Sequence, residues 1–229
     1  MMHAASPPTP SRLLTPETAR DFILANTRLQ PVSHAPEISL WLADEVTPLW
    51  RLTEEELGAM GLPPPFWAFA WAGGQAIARW LLDNPEAVRG RSVVDFASGS
   101  GLVGVAAMKS GATSVLCADI DPFCRAAVAL NAEANRVSLA FTDADLLDAP
   151  PPEADLILAG DVCYEKPMTE RVLTWLHQAR AVGAEVLIGD PGRSYFPREG
   201  LEFLAEYTVP TTRELEDQEV KRSRVWRMP

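Results

Sequence analysis

Asp95, Ala97, Ser98, Gly99 and Gly101 fall together in the segment S-V-V-D-F-A-S-G-S-G (92–101), and a second acid, Asp119, ends the apolar run 114–118. The chemistry open to this set is nucleoside binding. Small residues in the turn let backbone N–H groups approach a ligand, and a carboxylate at the tip of the second strand accepts the protons of both ribose hydroxyls. Two ligand classes compete for the turn. Gly99-Ser100-Gly101-Leu102-Val103-Gly104 spells G-x-G-x-x-G, with Asp119 at the spacing of a dinucleotide site. Against that stands Asp95, whose charge at the strand end would repel a pyrophosphate seated on the next helix N-terminus. A sulfonium and an ammonium suit such an acid, so the expected cofactor is S-adenosylmethionine, with S-adenosylhomocysteine as product.

Two further apolar runs end in acids. A-D-L-I-L-A-G-D-V-C-Y (154–164) contains Asp161, and A-E-V-L-I-G-D-P (184–191) contains Asp190. Strands tipped by Asp95, Asp119, Asp161 and Asp190 read as members of one parallel sheet whose carboxyl ends face a single crevice. Another strand is expected over 138–143, after which either Asp143 or Asp145 is placed to accept a hydrogen bond from the adenine amino group.

The order of these motifs resembles a class I, seven-stranded methyltransferase. P-F-W-A-F-A-W-A-G-G (65–74), D-V-C-Y (161–164) and I-G-D-P-G-R (188–193) narrow the resemblance to the electron transfer flavoprotein beta subunit lysine methyltransferases. It implies an α/β, Rossmann-like sheet with helices on both faces. It also implies a methyl donor held by Asp95, Gly99, Gly101 and Asp119, with Asp161 and Tyr164 as the candidate catalytic pair bordering the acceptor lysine. Ala97, Ile120 and Trp71 join the cofactor-binding candidates, and Trp67 the substrate-binding ones. Ala97 departs from the pattern, standing where the commonest motif has its first glycine, which is tolerable while the backbone keeps φ negative. On this reading Asp161 draws in the lysine ammonium and then orients the amine, while Tyr164 offers a phenolic hydrogen bond. The expected partner is a basic protein, the electron transfer flavoprotein beta subunit. A ribosomal-protein lysine methyltransferase, a small-amine N-methyltransferase and a module that only senses the donor are the rival readings. Enzymes that methylate amino groups of bases typically carry N-P-P-Y where this chain has D-V-C-Y.

These residues need elements to hold them. Thr15-Pro16-Glu17 opens a helix over 15–27, and alternation over 38–43 reads as a strand. Together they form an extension (1–60), helix plus strands, ahead of a methyltransferase domain (61–229). Residues 61–78 carry no charge, yet Pro63-Pro64-Pro65 and Gly73-Gly74 break any membrane span, leaving a helix over 71–82. Aromatics in this stretch ordinarily serve a core, and the resemblance also places Trp67 and Trp71 near the site. Residues 172–181 look helical, and 201–209 with 219–227 read as a closing antiparallel strand pair around an acidic linker.

Composition sets the outer bounds. The 229 residues carry a formal charge of −11, which disfavours a nucleic-acid partner because phosphate binding needs clustered Lys and Arg. Three cysteines without a C-x-x-C, and three scattered histidines, imply neither a disulfide framework nor a metal site. The Pro-rich start, M-M-H-A-A-S-P-P-T-P, lacks the apolar core of a secretory signal, so the expected location is the cytoplasm, with no membrane association.

Overall fold

The computed structural model describes residues 15–44, 49, 64–197, 199–211 and 220–229. The first ten residues and the acidic linker, both read above from sequence, lie outside this set. Helix α1 (Pro16–Asn26) begins as expected, with Thr15 and Thr18 exchanging side-chain and backbone hydrogen bonds in a capping box. It leads into a hairpin of β1 (Arg28–Val32) and β2 (Ala35–Leu42). β2 is the strand read over 38–43, longer by three residues at its start. β1 escaped the sequence reading because Pro31 interrupts its pattern, and the register slips beside that proline.

The main sheet has seven strands. β3 (Ser92–Phe96), β4 (Ser114–Ala118), β5 (Ala140–Thr142), β6 (Leu156–Gly160), β7 (Glu185–Asp190), β8 (Glu202–Pro210) and β9 (Val220–Met228) lie in the order β5-β4-β3-β6-β7-β9-β8. The first five pair in parallel, while β9 pairs antiparallel to both β7 and β8. β5 is shorter than the run 138–143. Helix α2 (Ala72–Asp83) precedes β3, and α3 (Leu102–Lys109), α4 (Cys124–Asn135) and α5 (Lys166–Ala181) fill crossovers between the parallel strands.

Both faces of the central strands are buried, which is why they read as unbroken apolar runs. Leu156 and Leu158 pack with Val93 and Leu187 toward α2 and α3, and Ile157 and Ala159 pack with Val94 and Ile188 toward Trp175 and Leu176 of α5. A third cluster joins α1 and α4 through Ile23, Trp67, Phe123 and Leu130.

Two contacts do most to place the site. The start of α2 rests directly on the ends of β6 and β7. A Cβ at Gly73 would overlap the Gly189 carbonyl and the Asp161 carboxylate, and one at Gly189 would overlap the Gly73 carbonyl. The second contact runs through two asparagines of α4 that stand in for a strand partner of β2. Trp41 N–H donates to Asn131 Oδ1 (2.8 Å) and Ser39 N–H to Asn135 Oδ1 (3.1 Å). Asn131 Nδ2 in turn donates to the Ser100 carbonyl at 2.8 Å, tying the hairpin to the loop between β3 and α3. Asn131 is fully buried. Asn131→Ala strands one buried donor and one buried acceptor, so we expect a loss of about 2–4 kcal/mol, read by urea unfolding.

Candidate active site

The carboxyl ends of β3, β4 and β6 open into a cavity of about 670 Å³. That volume lies within the range of small-molecule sites. Asp95, Asp119 and Asp161 all border it. Asp190 does not follow them. Its Oδ1 accepts from Gly192 N (2.6 Å) and Arg193 N (2.7 Å), so its carboxyl folds the loop after β7 instead of facing the crevice. Burial pushes that carboxyl up to about 6.

The turn after β3 is built from unusual backbone. Ala97 has φ 53°, Gly99 49° and Gly101 77°. The expectation of a negative φ at Ala97 is therefore corrected: this alanine takes the left-handed conformation, at about 1–2 kcal/mol of steric cost. Gly101 needs its missing side chain, since a Cβ there would lie 3.1 Å from Val128 Cγ2. Gly99 N–H donates to Asp119 Oδ2 at 2.8 Å, and Asp121 N–H donates to Asp119 Oδ1 at 3.0 Å. Ser98 Oγ is buried with no hydrogen-bond partner, on the cavity wall. Ile120 is 69% exposed and also borders the cavity.

Of the two adenine candidates, Asp145 borders the cavity and caps Leu147 N–H at 2.9 Å. Asp143 is not among the residues bordering the cavity. Its exposed carboxylate pairs with Arg125 at 3.1 Å.

One side of the cavity is aromatic. Phe66 and Tyr164, about half exposed, face each other at 5.9 Å between ring centroids, and Trp71 meets Phe66 edge-on at 5.8 Å. Trp71 Nε1 donates to the Phe66 carbonyl at 2.9 Å, fixing this wall. Burial raises the Tyr164 phenol, and Asp119 and Glu165 add to the rise. Trp67 sits differently from the expectation. It is 1% exposed and stacks on Phe123 at 5.6 Å, so it backs the cavity from within the core and leaves its neighbour Phe66 at the mouth. Adjacent residues on a short turn face opposite ways, and no sequence pattern marked Phe66 as the outward one.

Asp161 is a junction. It has φ 57°, and its side chain is 8% exposed. Oδ2 accepts from Gly73 N–H and, at 3.1 Å, Gly74 N–H, the first turn of α2. Oδ1 accepts from Arg193 Nε (3.2 Å) and Nη2 (2.8 Å). Both oxygens are thus engaged within the protein, while the carboxylate still borders the cavity and keeps lone pairs for a further donor. Arg193 was visible only as the end of I-G-D-P-G-R, and its reach back to Asp161 is set by the turn that Asp190 folds.

The cavity wall suits a cationic nucleoside better than a pyrophosphate. Asp95, Asp119, Asp121, Asp145 and Asp161 border it against Arg171 and Arg193. Arg171 is drawn to Asp145 and Asp148, and Arg193 to Asp161. No group of residues fit to hold a metal ion occurs among the described residues, and none of their helices is long and apolar enough to cross a membrane.

Asp95 lies beneath the turn, 2% exposed, with Oδ2 accepting from Gly104 N–H at 2.8 Å. Burial pushes its carboxyl up to about 8, from an ordinary 3.8. The sequence reading treats Asp95 as a standing negative charge, whereas its burial opposes ionisation. Because the folded value is the higher one, the group carries no ionisation cost below the ordinary value, and the cost grows as pH rises through about 8. Asp95→Asn keeps an acceptor for Gly104 without that cost. The unliganded variant should melt above the parent at pH 8.5, with the gain vanishing near pH 4 in parallel thermal scans.

Comparison with known proteins agrees with this geometry. The family model for ribosomal protein L11 methyltransferase (PrmA) matches residues 80–162. Among solved structures, the magnesium protoporphyrin IX methyltransferase of Synechocystis with bound SAM is similar in fold, at TM-score 0.50 and 16% identity over 68% of this chain and 78% of that one. A putative SAM-dependent methyltransferase from Streptococcus mutans gives TM-score 0.51 and 13% identity over 69% and 49%. Sequence relatives are nearer. The rat electron transfer flavoprotein beta subunit lysine methyltransferase is 37% identical over 85% of this chain and 77% of its own length. The human protein of that name is 35% identical over 93% and 82%. Acid-tipped parallel strands, a strained glycine turn and an aromatic mouth thus occur in a chain aligned with these relatives over most of its length, and the chain belongs to the electron transfer flavoprotein beta subunit lysine methyltransferase family.

Proposed function

We propose that this enzyme transfers methyl groups from S-adenosylmethionine to a lysine side chain of the electron transfer flavoprotein beta subunit. The observation that carries the reading is the aromatic mouth of Phe66, Trp71 and Tyr164, opening onto the cavity bordered by the Ala97–Gly101 turn and Asp119. In this reading Asp119 receives the ribose hydroxyls, Ile120 and Asp145 flank the adenine, and Ser98 Oγ with the neighbouring backbone N–H groups meets the amino-acid end. The excess of acids around the cavity favours a lysine-bearing protein over a nucleic acid. The three cysteines are free and buried, which suits a reducing cytoplasm.

The bound donor supplies an electrophilic methyl group. The rest of the reaction falls to the protein. A lysine with a reference pKa near 10.4 needs about 4.6 kcal/mol to lose its proton at pH 7. Aromatic walls desolvate the ammonium and favour the neutral amine, whose lone pair forms the N–C bond as the S–C bond breaks. With donor bound, transfer would leave the bond's electron pair on sulfur, and the amine's proton would pass to water. The Tyr164 hydroxyl orients the amine, and line-up of nitrogen, methyl and sulfur provides most of the acceleration. Asp161 acts from behind this wall by fixing α2 and Arg193.

The test is mass spectrometry of purified electron transfer flavoprotein after incubation with enzyme and labelled donor, beside ribosomal proteins and nicotinamide. Label on a beta-subunit lysine is expected, and label only on another acceptor would overturn the substrate assignment. Tyr164→Phe should lower kcat about tenfold, with donor affinity unchanged by calorimetry. Asp161→Ala leaves a guanidinium and two helix N–H groups without their carboxylate. It should abolish turnover and cost about 3–5 kcal/mol in chemical unfolding.

A further inference from the structure

We propose that Arg193 is a positioning residue whose charge compensates Asp161, so that the acceptor site receives lysine as the neutral amine. This rests on the lysine-transfer reading above. Arg193 touches three parts of the acceptor wall at once. Its guanidinium pairs with Asp161 Oδ1 at 2.8 Å and lies 5.7 Å from the centre of the Trp71 ring, and its backbone N–H is held by Asp190 at 2.7 Å. Its side chain is 21% exposed, against 8% for Asp161, so the pair sits in the wall with an edge toward the cavity.

The consequence concerns proton balance at the acceptor. A carboxylate without a counter-charge within about 4–6 Å of an amine favours the ammonium and raises its pKa by about 1–3 units, opposing the reaction. Asp161 is compensated from two sides, by the positive end of α2 and by Arg193. The same guanidinium covers one face of Trp71, so the wall presents to the lysine a cation already matched to its acid. The other ionisable groups near this corner are Asp190 beneath the loop, Cys163, Tyr164 and Glu165 after β6, and Asp119 across the cavity; burial and the charges of Asp190 and Asp161 push the Cys163 thiol up to about 12.

A purely structural clip would differ from this arrangement in its pH behaviour. The experiment measures kcat for methylation of the beta subunit from pH 6 to 10, both substrates saturating, for the parent, Arg193→Met and Arg193→Lys. In Arg193→Met the acidic limb should move up by about 1–2 units, a deficit of about 10–100-fold at pH 7 that closes as pH rises. Arg193→Lys, which keeps the charge, should shift the limb by less than about half a unit, and donor affinity should stay within about threefold in both. If the Met variant does not fold, Arg193→Gln, which keeps an N–H donor for Asp161, takes its place. The profile of Asp190→Asn separates titration of that carboxyl from the lysine limb. An equal loss of rate at every pH, or a Lys variant shifted as far as the Met variant, would overturn the role of the charge. A parent enzyme that methylates no protein lysine would overturn the functional reading and this inference together, which the parent's own activity distinguishes.

Discussion

The carboxylate of Asp161 is the point on which the site's geometry depends. One oxygen holds the first turn of α2, and the other holds Arg193. A buried charge of this kind is tolerated only with full compensation, and here the compensation comes from two separate parts of the chain. α2 approaches near enough because Gly73 meets Gly189 backbone to backbone, with no side chain between them. Arg193 approaches because Asp190 folds the loop that carries it. The left-handed backbone at Asp161 aims the carboxylate between these two partners, at a position where aspartate tolerates that conformation better than most residues.

On the proposed lysine-transfer reading, the site divides at this junction into a donor half and an acceptor half of different character. The donor half is shaped by backbone: positive φ angles, small residues and N–H groups already engaged by Asp119. The acceptor half is shaped by side chains, with Phe66, Trp71 and Tyr164 as desolvating surfaces and Arg193 as fixed charge. Asn131 links the donor half to the N-terminal hairpin through Ser100 and Trp41. The hairpin is therefore part of the scaffold of the donor loop, packed on α4 and hydrogen-bonded to it.

Much of the architecture was legible in the sequence because its signals are local. Strands buried on both faces show as unbroken apolar runs, and the helix start at Thr15 shows as a cap followed by proline. The site was legible to the level of which turns, and not which side chains. Asp143 and Asp145, or Phe66 and Trp67, are near neighbours whose directions are decided by turn geometry that composition does not encode. Asp190 shares the acid-tipped pattern of the other strands, yet it serves its own loop. The charge state of Asp95 was equally hidden, since burial depth sets it and the motif only locates it. Long-range partners such as Arg193 with Asp161, or Asn131 with β2, join segments that carry no common signature.

The strand order has a temporal side. β9 lies between β7 and β8, so β8 emerges during synthesis without a neighbour to pair with and waits for the last described strand. β3, β4, β5 and the helices between them are contiguous in sequence and can assemble while later residues are still being made. α2 is made before the strand ends it finally rests on, and its first turn has no carboxylate until Asp161 arrives. The two halves of the site are thus completed at different times in the life of each molecule: the donor turn early, the acceptor wall only when Asp161, Tyr164 and Arg193 join Phe66 and Trp71. Nascent chains paused between β5 and β6 hold the first without Asp161, Tyr164 and Arg193 of the second, a stage at which ligand can already act as a folding template.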